Sequence, residues 1–448
     1  MNITDPNVLY QNAATHFQQR RFAEAGRIAQ SIMNVAPRLA NANHLLGLIA
    51  IERGQYTDAE RLISHAIKAN PRQPFYYFNH GLALQSCGRL DEALSAYELA
   101  LQLNPGFAEA HNNRGNALKI MGRYDEALAS YESAIKLNPE FSVFHCNRGA
   151  VLIILGRVEE ALAAYERAVA INPSFAGAHC TRGTCLRVLG RLSEAAEAFR
   201  LAIAHDPTQV DAKYYLAAIG EGEAPPLSPN EYVIREFDEF ADHFDNRLLD
   251  ELGYKTPQHL FEAVNKQRKR TEQTKHIDIL DLGCGTGLSG ATFSGIANQL
   301  VGVDLAPRMP AKAKERKIYT DLIEADICHA MKQVRQSFDL VISADVFVYI
   351  GALEEVFSLV SQRLNPGGLF AFSTELLENG MDYQLRQTGR YAQSHSYIGK
   401  LSTDNSFQEV SCTPVTLRYE GGKPVTGSVF VLRLSGSSMN NQSLGMSG

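Results

Sequence analysis

Several things are missing from this chain of 448 residues. No run of 18 apolar residues occurs, so no membrane span is expected. The N-terminus, MNITDPNVLYQN, has no basic run followed by an apolar one and does not read as a signal peptide. The seven cysteines, at 87, 146, 180, 185, 284, 328 and 412, form no C-x-x-C pair and no Cys/His cluster with zinc-ligand spacing. Reduced thiols, a cytoplasmic location and no metal site are the expectation. An excess of positive charge is missing too. The formal net charge is −6, which gives no general reason to expect nucleic acid. What is present, 45% hydrophobic and 21% charged residues, is typical of soluble globular protein, and the length implies two or three domains.

The first half repeats. Prolines fall at 37, 71, 105, 139, 173 and 207, always 34 apart. Glycines recur at 47, 81, 115, 149 and 183, and a second series at 54, 88, 122, 156 and 190. Ala59, Ala93, Ala127, Ala161 and Ala195 share a register, as do Tyr97, Tyr131, Tyr165 and Phe199. This period with these markers resembles the tetratricopeptide repeat (TPR). The resemblance implies an α-solenoid of helix pairs, each pair too small to bury its apolar faces alone. Repeats are placed at 6–39, 40–73, 74–107, 108–141, 142–175 and 176–209. The first is degenerate, with Ala13 and Arg20 replacing its two glycines. Residues 210–219 read as a closing helix, so the array is expected over 1–219. Such arrays present a concave face, usually to an extended peptide. Asn79, Asn113 and Asn147 share a register, and AHNNRGNAL and FHCNRGAVL are similar to repeats of O-GlcNAc transferase, whose asparagines hold peptide backbone. Two readings stand: a ladder for a protein partner, or bonds within the solenoid. His111, His145 and His179 read as packing rather than metal ligands.

GEGEAPPLSP, with two glycines and three prolines, marks a linker at 220–230. In the segment that follows, Phe237, Phe240, Ala241, Phe244, Leu248 and Leu252 recur at helical spacing. The basic run KQRKR, 266–270, reads as a solvated loop.

Residues 276–290, HIDILDLGCGTGLSG, start with an apolar run, Ile277, Ile279, Leu280 and Leu282, that reads as a buried strand. Gly283, Gly285 and Gly287 then lead toward a helix, and glycines there let backbone approach a ligand closely. The third glycine of a dinucleotide fingerprint would fall at Leu288, so that pattern is not met. The pattern D-x-G-x-G-x-G, led by Asp281, resembles motif I of the class I S-adenosylmethionine (SAM) methyltransferases. FDEFADHFD, followed by LGY and a proline, resembles bacterial methyltransferases fused to tetratricopeptide repeats.

The resemblance implies an α/β Rossmann-like domain at 231–436. Its sheet would have seven strands with the last reversed, and a helix at 231–252 would cover the cofactor. It implies SAM as cofactor, S-adenosylhomocysteine as product, and cofactor contacts at Asp281, Gly283, Cys284, Gly285 and Gly287. Asp304, ending LVGVD, suits an acid bonding both ribose hydroxyls, with Leu305 beside it. Asp326 would receive the adenine amine and Ile327 would flank the ring. Ala344 and Asp345 follow the fourth strand in the same region. Ala306 departs from the family, where a helix-capping serine is frequent. FQEVSC and GSVFVLRL read as the last two strands, and 437–448 as a disordered tail.

Methyl transfer needs an aligned acceptor, exclusion of water and, for a hydroxyl or ammonium acceptor, a group that removes a proton. Tyr349, Glu375 and His395, together with Asp345, are the candidates, each with a structural hydrogen bond as its alternative. No N/D-P-P-Y motif for nucleobase amines occurs, and no cysteine sits like the nucleophile of cytosine methyltransferases. Three functions remain open: a methyltransferase whose array docks a protein, one acting on a quinone-like or phenolic small molecule, and a non-catalytic SAM-binding scaffold.

Overall fold

The computed structural model describes residues 5–238, 241, 244–246, 248–249, 252–268, 275–378, 380–420 and 422–435. The tail expected at 437–448, Phe240 of the covering helix, and Lys269 and Arg270 of the basic run lie outside the described residues. The chain divides into two compact units, Met1–Pro207 and Thr208–Gly448.

The first unit is six helix pairs in the registers expected. They are α1 (Pro6–Gln18) with α2 (Phe22–Val35), α3 (Ala40–Glu52) with α4 (Tyr56–Ala69), and α5 (Pro74–Ser86) with α6 (Leu90–Leu103). Then come α7 (Ala108–Ile120) with α8 (Tyr124–Leu137), α9 (Ser142–Ile154) with α10 (Val158–Ile171), and α11 (Ala176–Val188) with α12 (Leu192–His205). Each recurring marker has a visible cause. A Cβ at Gly115 would lie 2.7 Å from Tyr131 Cε1, and one at Gly149 equally close to Tyr165 Cε2, so the missing side chain admits the ring. The second glycine series turns the chain at positive φ, +75° at Gly88 and +72° at Gly156. In the degenerate first repeat Arg20 holds that conformation, at φ +58°, without glycine's freedom. Before each recurring proline the chain leaves helical geometry, as at Asn104 (φ −142°, ψ 90°), which ends the second helix.

The histidine ladder bonds backbone: Nε2 of His111, His145 and His179 lies 3.1, 2.9 and 2.9 Å from the carbonyls of Pro105, Pro139 and Pro173. The asparagines bond neighbouring side chains. Asn79 meets His44, Asn113 accepts from Asn112, and Asn147 donates to Asn112.

The second unit opens with α13 (Val210–Ala218), the helix expected to close the array. Its Tyr214 hydroxyl lies 2.7 Å from the Gly389 carbonyl and 2.6 Å from Ser228 Oγ. Its ring stands 5.0 Å from that of Tyr232. These buried aromatic and polar contacts group the helix with the second unit, ahead of the expected 219/220 boundary.

After α14 (Asn230–Asp238), the short α15 (Phe244–Asn246) and α16 (Thr256–Gln267), the sheet begins. Its strands are β1 (Ile277–Leu282), β2 (Ala297–Asp304), β3 (Asp321–Glu324), β4 (Phe338–Ser343), β5 (Leu364–Leu376), β6 (Tyr383–Leu385), β7 (Tyr391–Gln393), β8 (Phe407–Glu420) and β9 (Lys423–Leu434). The helices among them are α17 (Leu288–Phe293), α18 (Arg308–Glu315), α19 (Ile327–Gln333), α20 (Glu354–Arg363) and α21 (His395–Asp404). No helix among the described residues is long and apolar enough to cross a membrane.

Strands β3, β2, β1, β4 and β5 run parallel in that spatial order, β9 joins β5 antiparallel, and β8 joins β9. That is the seven-stranded arrangement with the last strand reversed. Two further strands make nine. The hairpin β6–β7 pairs with Glu375 and Leu376, where β5 runs on past the end of β4.

Side chains alternate across the sheet. Leu280 and Leu282 enter a core with Phe357, Phe370 and Tyr397, and Ile279 enters the opposite one with Leu260, Val264 and Phe293. Because β2 and β3 step away on one side of β1 and β4 lies on the other, the carboxyl ends of β1 and β4 form the switch point. Open parallel sheets bind ligands there.

Candidate active site

The turn after β1 carries three left-handed glycines, Gly283 (φ +71°), Gly285 (φ +55°) and Gly287 (φ +89°). A Cβ at Gly283 would strike Val346 in the loop after β4, so that glycine lets the two strand ends close on each other. A Cβ at Gly285 would meet nothing within 4 Å. Its peptide N–H donates to Asp304 Oδ2 at 2.8 Å, while Asp304 Oδ1 accepts from Ala306 N at 3.0 Å. Asp304 thus caps the chain after β2 itself, which answers for the missing serine at Ala306. Leu305 beside it is half-buried. Burial pushes the Asp304 carboxyl up to about 6, against the pull of those amides.

Asp281 is fully buried, and Oδ2 accepts the Tyr319 hydroxyl at 2.7 Å. Desolvation raises its carboxyl to about 7, the Tyr319 bond opposing. The Cys284 thiol is buried, and a Cβ on Gly302 of β2 would lie 3.0 Å from it, so the thiol points into the sheet. Asp326 caps α19, accepting from Cys328 N at 2.9 Å and His329 N at 3.1 Å, and Ile327 packs in the core with Leu280 and Leu282.

The expected covering segment sits on this corner. Phe237 of α14 meets the Tyr349 ring at 5.4 Å on the β4 side. On the β2 side Phe237, Ala241 and Phe244 pack with Ala306 and Met309. Asp245 of α15 binds Thr286 Oγ1 and Arg316, whose Nε donates to the Thr286 carbonyl at 2.7 Å. The segment expected as a linker, 220–230, is also bonded here. Ser228 N donates to the Tyr349 carbonyl at 2.8 Å, and Gly351 N to that of Pro226 at 2.9 Å.

Beyond β4 and β5 lies a cluster of ions. Asp345 is a non-glycine residue at φ +57°, a conformation costing about 1 kcal/mol or more. It is held by reciprocal bonds with Ser373: Asp345 N donates to Ser373 Oγ at 2.8 Å, and that hydroxyl donates to Asp345 Oδ1 at 3.1 Å. The Arg418 guanidinium from β8, itself buried, reaches Asp345 Oδ2 at 3.4 Å, Glu420 at 2.7 Å, and Glu375. Arg386 takes the other Glu375 oxygen at 2.9 Å, and Arg390 binds Glu420. Burial raises the Asp345 carboxyl, with Arg418 opposing. Tyr349 and Ala344 stand at the edge of this corner, half-buried.

His395 is not brought to this corner. It is exposed at the start of α21, with Nε2 at 2.8 Å from Glu409. Glu409 pairs through Leu432 with Phe370, well before Glu375 near the end of β5. Tyr319, Arg316, Asp245, Arg386, Arg390 and Arg418 carry no local signal in the sequence. Tyr319 and Arg418 meet partners far away in it, 38 residues for Tyr319 with Asp281 and 73 for Arg418 with Asp345.

The residues fit an adenosyl sulfonium: an open backbone cradle at Gly285, an acid ending β2 bound to that cradle, and a closed aromatic side at Phe237 and Tyr349. Comparisons with known proteins agree. A family model described as a methyltransferase domain matches residues 279–368. Tetratricopeptide-repeat models match 108–141 and 142–175, and 81–122.

A malonyl-[acyl-carrier protein] O-methyltransferase of Bacillus cereus is 31% identical over 111 residues, 24% of this chain and 40% of that protein. An 18S rRNA (guanine-N(7))-methyltransferase of Bos taurus is 31% identical over 92 residues, 20% of this chain and 33% of that protein. A ubiquinone biosynthesis O-methyltransferase of Nitrobacter winogradskyi is 30% identical over 100 residues, 22% and 38% respectively. The chain therefore spans less than half the length of each of these relatives. It joins tetratricopeptide repeats to a methyltransferase domain.

Proposed function

We propose that this chain transfers the methyl group of SAM to an acceptor held at the carboxyl ends of β4 and β5, and that its repeats bind a protein, either the substrate or an adaptor. The glycine turn open at Gly285 and tied to Asp304 carries the reading. Backbone at Gly283, Gly285 and Gly287, the carboxylates of Asp304 and Asp326, and the neighbourhood of Leu305, Ile327 and Ala344 would hold the cofactor. SAM when bound supplies a methyl on a cationic sulfur, already electrophilic, so the protein's work is alignment and exclusion of water.

The chain's own residues divide that work. Phe237, Phe244 and Ala241 shield the corner. Asp345 is the proposed proton acceptor, because desolvation raises its carboxyl and makes it a stronger base than a solvated one, while Ser373 and Arg418 fix its position. Glu375 has both oxygens on arginines and acts as a positioning residue. Tyr349 orients the acceptor from the edge. On the array, Asn79, Asn113 and Asn147 would meet a peptide with the hydrogen-bonding capacity their neighbours leave over.

A second reading, a small aromatic or phenolic acceptor, draws support from Phe237 packed edge-on against Tyr349. Calorimetric titration of SAM and S-adenosylhomocysteine into the full chain tests the cofactor; a folded protein binding neither ends the proposal. Methyl-labelled SAM added with the full chain to cell extract then separates the acceptors. Label in protein supports the first reading, and label in the small-molecule fraction supports the second.

A further inference from the structure

Outside this corner, one cluster is built by an irregularity of the backbone. On β8, Glu409 pairs with Leu432 but Ser411 pairs with Val431, so Val410 is an extra residue against β9. In a regular strand two residues three apart point to opposite faces. The bulge cancels that alternation and sets Glu409 and Cys412, opposite Leu432 and Phe430, on one face. Helix α21 starts over that face. Ser394 caps it, accepting from Tyr397 N at 3.2 Å, and the next residue, His395, lays its ring 5.4 Å from that of Phe430. The ligand atoms of His395, Glu409 and Cys412 lie within 4.8 Å of one another, with His395 Nε2 at 2.8 Å from Glu409 Oε2.

We propose that His395, Glu409 and Cys412 bind a divalent transition-metal ion of borderline softness, zinc foremost. One imidazole nitrogen, one carboxylate oxygen and one thiolate sulfur make a mixed donor set that suits Zn²⁺ and Co²⁺ and disfavours Mg²⁺ and Ca²⁺, which prefer oxygen throughout. Three protein ligands leave a fourth tetrahedral position to water, and the exposure of His395 and Glu409 gives the ion a way in. Binding forms a metal–sulfur bond, and the thiol proton it replaces is released to solvent.

The site ties α21 to β8. Just before α21, Gln393 Nε2 donates to the Phe347 and Ile350 carbonyls at 2.9 and 2.7 Å, so the ion would stiffen a segment that also holds the loop carrying Tyr349. Sequence spacing hides the set, because one ligand comes from another element and the other two converge only through the bulge.

The test is a titration of the reduced full-length chain with Co²⁺. The expected result is sulfur-to-cobalt charge-transfer absorption in the near ultraviolet and strong visible bands of four-coordinate cobalt, saturating at one equivalent and bleached by Zn²⁺. Cys412→Ser should remove the charge-transfer band. His395→Ala, at an exposed position that tolerates truncation, should weaken binding by at least roughly 100-fold, the upper end of what loss of an outer partner alone costs. Absence of these bands in the wild-type chain overturns the proposal. So does a charge-transfer band that survives in Cys412→Ser, since another of the seven thiols would then be the ligand.

Discussion

Gly285 donates its peptide N–H to Asp304 Oδ2 at 2.8 Å, tying the middle glycine of the turn after β1 to the acid that ends β2. A side chain added at Gly285 projects into open space. Gly285→Arg should therefore leave the domain folded, at a cost on the order of 1–2 kcal/mol for a left-handed non-glycine residue. It should also fill the cradle. Calorimetry should detect no SAM binding; unchanged affinity in a folded variant would remove the turn from the cofactor site.

Asp281 predicts an unusual pH dependence. Its folded pKa, about 7, lies above its unfolded value, so the native state binds the proton more tightly. The stability this gives is complete below about pH 4 and is lost as pH rises toward 7, on the order of 4 kcal/mol across the window. Asp281→Asn keeps an oxygen for the Tyr319 hydroxyl and cannot ionise. Urea unfolding of the cofactor-free proteins should show wild type losing stability relative to Asp281→Asn between pH 4 and 7. Parallel pH curves would contradict the assignment.

Arg418 binds three carboxylates from a buried position. Arg418→Met keeps most of the packing volume but leaves Asp345 without its arginine and Glu375 with Arg386 alone, both out of water. The expected loss is about 3–5 kcal/mol in denaturant unfolding. Adding Glu375→Gln should recover part of it, because an uncharged amide costs less to bury. A single variant within about 1 kcal/mol of wild type would show the cluster to be solvated.

Two glycines of the array should respond to alanine with opposite signs. In α9 a Cβ at Gly149 meets the Tyr165 ring at 2.7 Å, so Gly149→Ala should destabilise by about 1–2 kcal/mol despite alanine's better helix propensity. In α2 a Cβ at Gly26 meets Ile49 Cδ1 at an ordinary 3.8 Å, so Gly26→Ala should stabilise by about 0.5–1 kcal/mol. Thermal unfolding of both full-length variants checks the signs.

Repetition and local backbone rules made the helix pairs and the glycine turn legible. A proline every 34 residues stops the second helix of each pair, and a glycine facing Tyr131 or Tyr165 recurs because the same packing recurs. Likewise D-x-G-x-G-x-G writes a strand end and a left-handed turn into seven consecutive residues. These features depend on neighbours in sequence, so the sequence by itself determined them, along with the acids that end β2 and cap α19.

The tertiary structure decided what depends on distant partners. It brought Arg418 to Glu375 across 43 residues and Tyr319 to Asp281 across 38, and it folded Pro225 under the Tyr391 hydroxyl across 166. It moved His395 from the list of proton acceptors to a cluster with Glu409 and Cys412, because a single extra residue in β8 reversed which face Cys412 presents. It also grouped α13 with the second unit, since the burial of Tyr214 and Tyr215 depends on Ser228, Tyr232 and Gly389, which no helical period within 210–219 can reveal. Charge pairing and burial act through space, and a local pattern carries no record of which strand ends will meet.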